Sequence, residues 1–155
     1  MKRLLFLFLL AAMAPAAAAP VPPHYVSLRA DRANMREGPS YRHRIIWVYK
    51  HKGYPFEVLG AYDVWRRVRA VDGTTGWMSA SMLTDRRTVL VTGQGRAPLY
   101  GDPKARAKIV AYAMPGAVAR LDACVLRACK VSATGLKGWI AKDRIWGVGK
   151  DEVFK

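Results

Sequence analysis

Trp65, Arg67 and Arg69 stand at alternate positions of the segment Trp65-Arg66-Arg67-Val68-Arg69. On an extended backbone successive side chains point to opposite faces, so these three share one face and Val68 and Ala70 point inward. A Trp beside two Arg is equipped to hold a ligand. The aromatic face stacks on the apolar face of a sugar ring, and a guanidinium forks onto carboxylate or phosphate. The alternative lays Trp65 flat as a partly buried plug with the Arg stems covering it. The same half of the chain adds Tyr41-Arg42-His43-Arg44, in a long loop, and Tyr62. The ligand-binding candidates are therefore Trp65, Arg67, Arg69, Tyr41, Arg42 and Tyr62.

Catalytic readings find less to work with. There is no Gly-x-Ser-x-Gly elbow, no His-Glu-x-x-His helix and no Gly-rich phosphate loop before a helix. The three histidines, His24, His43 and His51, have no third ligand at a convincing spacing. No catalytic residue, metal site or cofactor is expected, and the chain reads as non-enzymatic.

The N-terminus has the three-part pattern of a secretory signal. Lys2 and Arg3 are a basic start, Leu4 to Ala14 an apolar run, and Ala16-Ala17-Ala18 the small residues a peptidase needs. The run is short for a membrane span, which takes about 20 residues. Residues 1–18 are expected to be the signal peptide, cleaved after Ala18, and 19–24 a stiff Pro-rich leader. The mature chain is then exported, with no transmembrane span, and periplasmic.

The formal charge is +15, two less once Lys2 and Arg3 leave. Such a charge favours polyanions, and outside the cytoplasm the abundant ones belong to the envelope. Non-specific binding to other polyanions is expected as well. In an oxidising compartment the isolated pair Cys124 and Cys129 reads first as a disulfide. Their spacing fits two sides of a short hairpin, where a bond stabilises by about 2 kcal/mol. Two thiolates with no nearby His do not complete a tetrahedral zinc site.

The elements that must position these residues are short strands. Ile45 to Tyr49 is β-branched and aromatic, Phe56 to Leu59 follows Gly53, and Asp72-Gly73 is a tight-turn signal. No segment combines helical period with length, so the chain is expected to be all-β. The pattern also repeats. Gly76-Trp77-Met78 recurs as Gly138-Trp139-Ile140, Gly53 recurs as Gly116, and Met35 as Leu99. A near-constant offset over these landmarks indicates two copies of one small unit. The expected copies span 25–86 and 87–147, joined by a short linker from Thr84 to Thr88 that favours a fixed arrangement, with a frayed tail at 148–155. Trp77 and Trp139, each after a Gly and before an apolar residue, are expected to fill the cores.

The first copy carries Asn34-Met35-Arg36-Glu37-Gly38-Pro39-Ser40, then Gly53, then Trp65-Arg66-Arg67-Val68, then Gly76-Trp77-Met78. In this order they resemble the bacterial Src-homology-3-like domain, whose signature runs N-x-R-x-G-P, G, W-x-x-V and G-W. The resemblance covers Tyr25 to Thr84, with a degenerate unit from Val89 to Gly147. It implies two tandem small β-barrels of the kind that serve exported bacterial proteins as targeting or wall-binding modules. In the second copy Tyr100 stands for Arg36, Gly101-Asp102-Pro103 for Glu37-Gly38-Pro39 and Ala128 for Trp65. That puts a ligand-binding role for the second copy in doubt.

Export, repetition and a basic-aromatic surface together predict an exported, non-catalytic binding or scaffold protein. Its partner is a cell-wall glycan or peptide: peptidoglycan, or another anionic envelope polymer. The alternative is a protein–protein interaction module that recruits an envelope protein through a short peptide.

Overall fold

The computed structural model describes residues 24–104 and 108–155. The expected signal peptide at 1–18 and all of the leader except His24 lie outside the described residues. The structure is all-β: two seven-stranded antiparallel sheets, one after the other in the chain.

The first sheet comprises β1 (His24–Leu28), β2 (Ala33–Arg36), β3 (Ile45–Tyr49), β4 (Pro55–Tyr62), β5 (Trp65–Arg69), β6 (Thr75–Ser79) and β7 (Leu83–Thr84), in the order β3-β2-β6-β5-β4-β1-β7. The second comprises β8 (Thr88–Val91), β9 (Ala97–Tyr100), β10 (Ile109–Ala113), β11 (Val118–Cys124), β12 (Ala128–Ala133), β13 (Leu136–Ala141) and β14 (Ile145–Trp146). Its order, β10-β9-β13-β12-β11-β8-β14, is the first order with every strand advanced by seven. A single turn of 3-10 helix precedes β7 and β14 alike.

The irregularities repeat as well. The register shifts between Val58 and Gly60 in β4 and between Leu121 and Ala123 in β11. It shifts again in the β2–β3 and β9–β10 pairs. Such bulges bend a strand and raise its twist, which lets a short sheet wrap a core of its own.

Each unit has that core. Leu28, Met35, Phe56, Val58, Val68 and Met78 are fully buried in the first, with Tyr49, Ala33 and Ala70 beside them. Val89, Val91, Val131, Ile140 and the two cysteines are the second. Val68 and Ala70 point inward as alternation predicts. Trp77 and Trp139 do not. Met78 and Ile140 fill the cores, and each Trp, one residue earlier on its strand, faces outward and is half-buried. The preceding Gly is what faces inward. A Cβ on Gly76 would meet the Met35 side chain, with Sδ at 2.8 Å, and the Arg36 carbonyl at 3.0 Å. On Gly138 it would meet Leu99 Cβ at 2.8 Å. The Gly of each Gly-Trp pair lets β2 and β9 pass close over the sheet.

Cys124 and Cys129 are opposite one another in the β11–β12 hairpin and form a disulfide. The tail expected to fray is instead docked. Phe154 exchanges two backbone hydrogen bonds with Cys124, at 2.8 and 3.1 Å, and it packs with Val148 on the second core. Apolar burial and a closed pair of backbone bonds outweigh the entropy of a short terminus.

Contacts also cross between the units. Thr88 Oγ1 donates to the Gly53 carbonyl at 2.6 Å. Tyr25 meets Trp146 edge-to-face with centroids 5.5 Å apart. Burial, then the nearby Glu57 carboxylate, push the Tyr25 phenol above its ordinary pKa.

Candidate functional site

Trp65 opens β5 immediately after the Tyr62–Trp65 hairpin, and its ring is only 5 % exposed. It shares a strand face with Arg67 and Arg69, yet it does not form a surface with them. The loop from Glu37 to Arg44 folds over the first residue of the strand and leaves the other two uncovered. Tyr41 from that loop is 71 % exposed and stands edge-on to Trp65, with centroids 4.9 Å apart.

The loop is held from below. The Arg36 guanidinium donates to the carbonyls of Tyr41 and His43, at 3.1 and 2.8 Å, and lies 5.5 Å from the Tyr41 ring centroid. Ser40 Oγ and His43 Nδ1 are hydrogen-bonded at 2.8 Å, and the His43 ring lies where a Cβ on Gly38 would be. Glu37 and Arg44 close the loop as an ion pair. The Asn-x-Arg-x-Gly-Pro stretch thus builds a fixed bracket for Tyr41: Arg36 ties the carbonyls and Gly38 makes room for His43.

Between this bracket and the sheet lies a cleft of about 230 Å³, floored by Trp65 and walled by Arg32, Asn34, Arg36, Tyr41 and Ser79. Asn34 lines the cleft, and its Oδ1 is buried from solvent without a hydrogen-bond partner in the described structure. A buried acceptor left unpaired is costly, so turning the Asn34 amide to meet a donor in the cleft would relieve that cost. The cleft therefore offers an aromatic floor, cations at its wall and an unmet acceptor. That set is suited in shape and chemistry to a polar, ring-bearing or peptide-like ligand.

The sequence-predicted residues divide accordingly. Trp65 and Tyr41 come together in the cleft. Arg67 lies on the outward sheet face opposite Trp77. Arg69, on the same face, is committed to Glu57 through Nη2 at 2.6 Å and Nε at 2.9 Å. Arg42 is exposed in the bracket loop, and Tyr62 is 63 % exposed at the β4–β5 hairpin. Sequence reading missed Arg32 and Asn34 as site residues. Asn34 opens the signature stretch, which was the available signal; Arg32 precedes it outside any strand and had none.

The histidines are not gathered. Among the described residues no group of three or more His, Cys, Asp or Glu is placed to hold a metal ion. Nor is any described helix long and apolar enough to cross a membrane.

The second unit has a cleft of about 400 Å³ at the equivalent place, lined by Tyr100, Asp102, Lys104, Ala128, Trp139 and Ala141, but its furnishing differs. Tyr100 pairs with Trp139 as Arg36 does with Trp77, so the loop-tying guanidinium is gone, and Ala128 leaves no aromatic floor.

Comparison with known proteins matches this reading of the repeat. The family model described as bacterial SH3 domain matches twice, over residues 29–85 and 93–147. No curated protein matches the chain in sequence. Among solved structures, NlpC2 from Trichomonas vaginalis is 15% identical over 80% of this chain and 48% of its own, with a TM-score of 0.37. NlpC1 from the same organism is 16% identical over 88% and 50%, with a TM-score of 0.38. An NlpC/P60 family protein from Bacillus cereus is 16% identical over 79% and 55%, with a TM-score of 0.36. The chain spans about half the length of these structures.

Proposed function

The chain belongs to the bacterial SH3 domain family, and from that membership we propose that it is an exported, non-catalytic binding protein of the cell envelope. Residues 1–18 direct export to the periplasm, and 19–24 space the first module, 25–86, from the new N-terminus. The second module, 87–147, with the tail 148–155, serves as its partner in a tandem scaffold. The ligand is peptidoglycan or another anionic envelope polymer, taken in the first module.

The observation that carries this reading is the cleft over Trp65, walled by Arg32 and by Asn34, whose Oδ1 is unpaired. Amide and hydroxyl donors of a wall glycan or its peptide would meet Asn34, and their carboxylates the cations. The net charge of +15 adds long-range attraction to the polymer. Arg67, Arg42 and Tyr62 would lie along the path of a chain leaving the cleft.

The test is co-sedimentation of the full chain with purified sacculi across a salt series. Binding that persists at physiological salt, survives Arg67→Ala and fails in the Arg32→Ala, Asn34→Ala double variant supports the cleft. Loss in Arg67→Ala alone would move the site to the outward face. Binding that vanishes with modest salt would reduce it to charge.

A second reading rests on β3, an edge strand of the first sheet on which Ile45 is 42 % and Trp47 54 % exposed. An extended peptide from an envelope protein could add to such an edge, with Trp47 as its anchor. Co-purification of one protein without affinity for sacculi would favour it.

A further inference from the structure

The two cores are filled in opposite ways at the same end. In the first unit Tyr49 meets Tyr54 and Phe56, with centroids 5.2 and 4.8 Å apart, and Tyr54 meets Phe56 at 5.2 Å. Backbone pairing identifies the matching residues in the second unit. Tyr49 is opposite Ala33, and Ala113 is opposite Ala97. Tyr54 accepts the Leu28 N–H, and Ala117 accepts the Val91 N–H. Phe56 is opposite Val26, and Ala119 is opposite Val89. All three rings of the first core are alanines in the second.

The space the rings would occupy is not refilled. A pocket of about 200 Å³ opens there, lined by the three alanines together with Val91, Leu99 and Val131. The last three are 2 %, 5 % and 3 % exposed, so the walls belong to the core itself. Its rim is apolar too: Tyr112 is 48 % and Leu136 52 % exposed. The guanidinium of Arg96 lies 4.4 Å from the Tyr112 ring centroid and belongs to none of the ion pairs among the described residues. The second unit is anchored at another place, through the Cys124–Cys129 disulfide and Phe154.

We propose that this pocket is a binding site for an aromatic side chain flanked by carboxylates, carried on a partner polypeptide. The sister core shows which shape the site is built around, since aromatic rings occupy the same backbone frame there. An open apolar pocket forfeits dispersion contacts on one side and regains them when a ring enters. Arg96 supplies the complementary charge at the mouth, in a chain with a large surplus of cations. The site is separate from the Trp65 cleft and belongs to the other module.

The test uses the full chain with labelled methyl groups and three probes: acetyl-Asp-Phe-Asp-amide, acetyl-Asp-Ala-Asp-amide and benzoate. The Phe peptide is expected to shift the methyl resonances of Val91, Leu99 and Val131, and the Ala peptide to leave them in place. Ala117→Tyr, at an exposed rim position, should weaken the Phe peptide about tenfold or more by occupying the pocket. Arg96→Ala should weaken it severalfold and leave the fold intact. No methyl shift at millimolar Phe peptide, equal response to the Ala peptide, or undiminished binding in Ala117→Tyr would overturn the site. Benzoate bound as tightly as the peptide would overturn the assignment to a polypeptide.

Discussion

Arg87, in the segment joining the two units, holds Glu152 through both carboxylate oxygens, at 2.6 and 3.1 Å. The same guanidinium donates to the Gly147 carbonyl at 3.0 Å and lies over the rings of Tyr25 and Phe154. One side chain thus ties together the linker, the tail and the first strand of the first unit. The Arg87 hydrogen bond holds the Glu152 carboxyl below its ordinary pKa, against the opposing effect of burial.

That pair sets an acid limit. A carboxyl whose folded pKa is depressed contributes stability above its unfolded pKa, near 4.5, and loses it as pH falls through the folded value. Tail docking should therefore weaken below about pH 4, read as faster amide exchange at Phe154. Glu152→Gln should reproduce the loss at neutral pH, by about 1 kcal/mol for a partly exposed charged pair, and should flatten the acid dependence.

The disulfide closes a short loop, so its removal should be modest and local. Cys124→Ala with Cys129→Ala is expected to lower stability by about 2 kcal/mol. Amide exchange should rise in β11, β12 and the tail strand at Phe154, while the first unit stays protected. Equal loosening of both units would show that they unfold as one.

Phe56→Ala would take the first core towards the second core's arrangement without the second's disulfide. A loss of about 3–5 kcal/mol is expected in denaturant unfolding. The symmetric change, Ala119→Phe, adds one ring where three alanines leave space. It should raise the midpoint or leave it unchanged.

Gly76→Ala should destabilise more than an exposed glycine change, because the Cβ collides with Met35 and the Arg36 carbonyl. Overpacking of this kind costs about 1–3 kcal/mol. Gly60→Ala, where a Cβ meets nothing within 4 Å, is the comparison, and a melting series of the two checks it.

Much of the fold was legible before the structure. Turn residues and β-branched runs marked the strands, and the recurrence of Gly-Trp marked two copies, because both signals are local. Cys124 and Cys129 were legible as a pair because they stand five positions apart across one hairpin. The site was legible only in part. Alternation placed Trp65 with Arg67 and Arg69 on one face correctly, but alternation says nothing of what covers a face.

By itself, the sequence determined the all-β class, the duplication and the family signature, since each follows from residue types at short spacing. Tertiary structure alone decided that Tyr41 covers Trp65, that Glu57 takes Arg69, and that Glu152 reaches back 65 residues to Arg87. It also decided that three alanines leave a pocket, because an alanine reads as a pocket wall only once the rings in the sister core show what is missing. Burial and pairing over long separations are properties of the packed chain, set by which surfaces meet when each sheet packs its core.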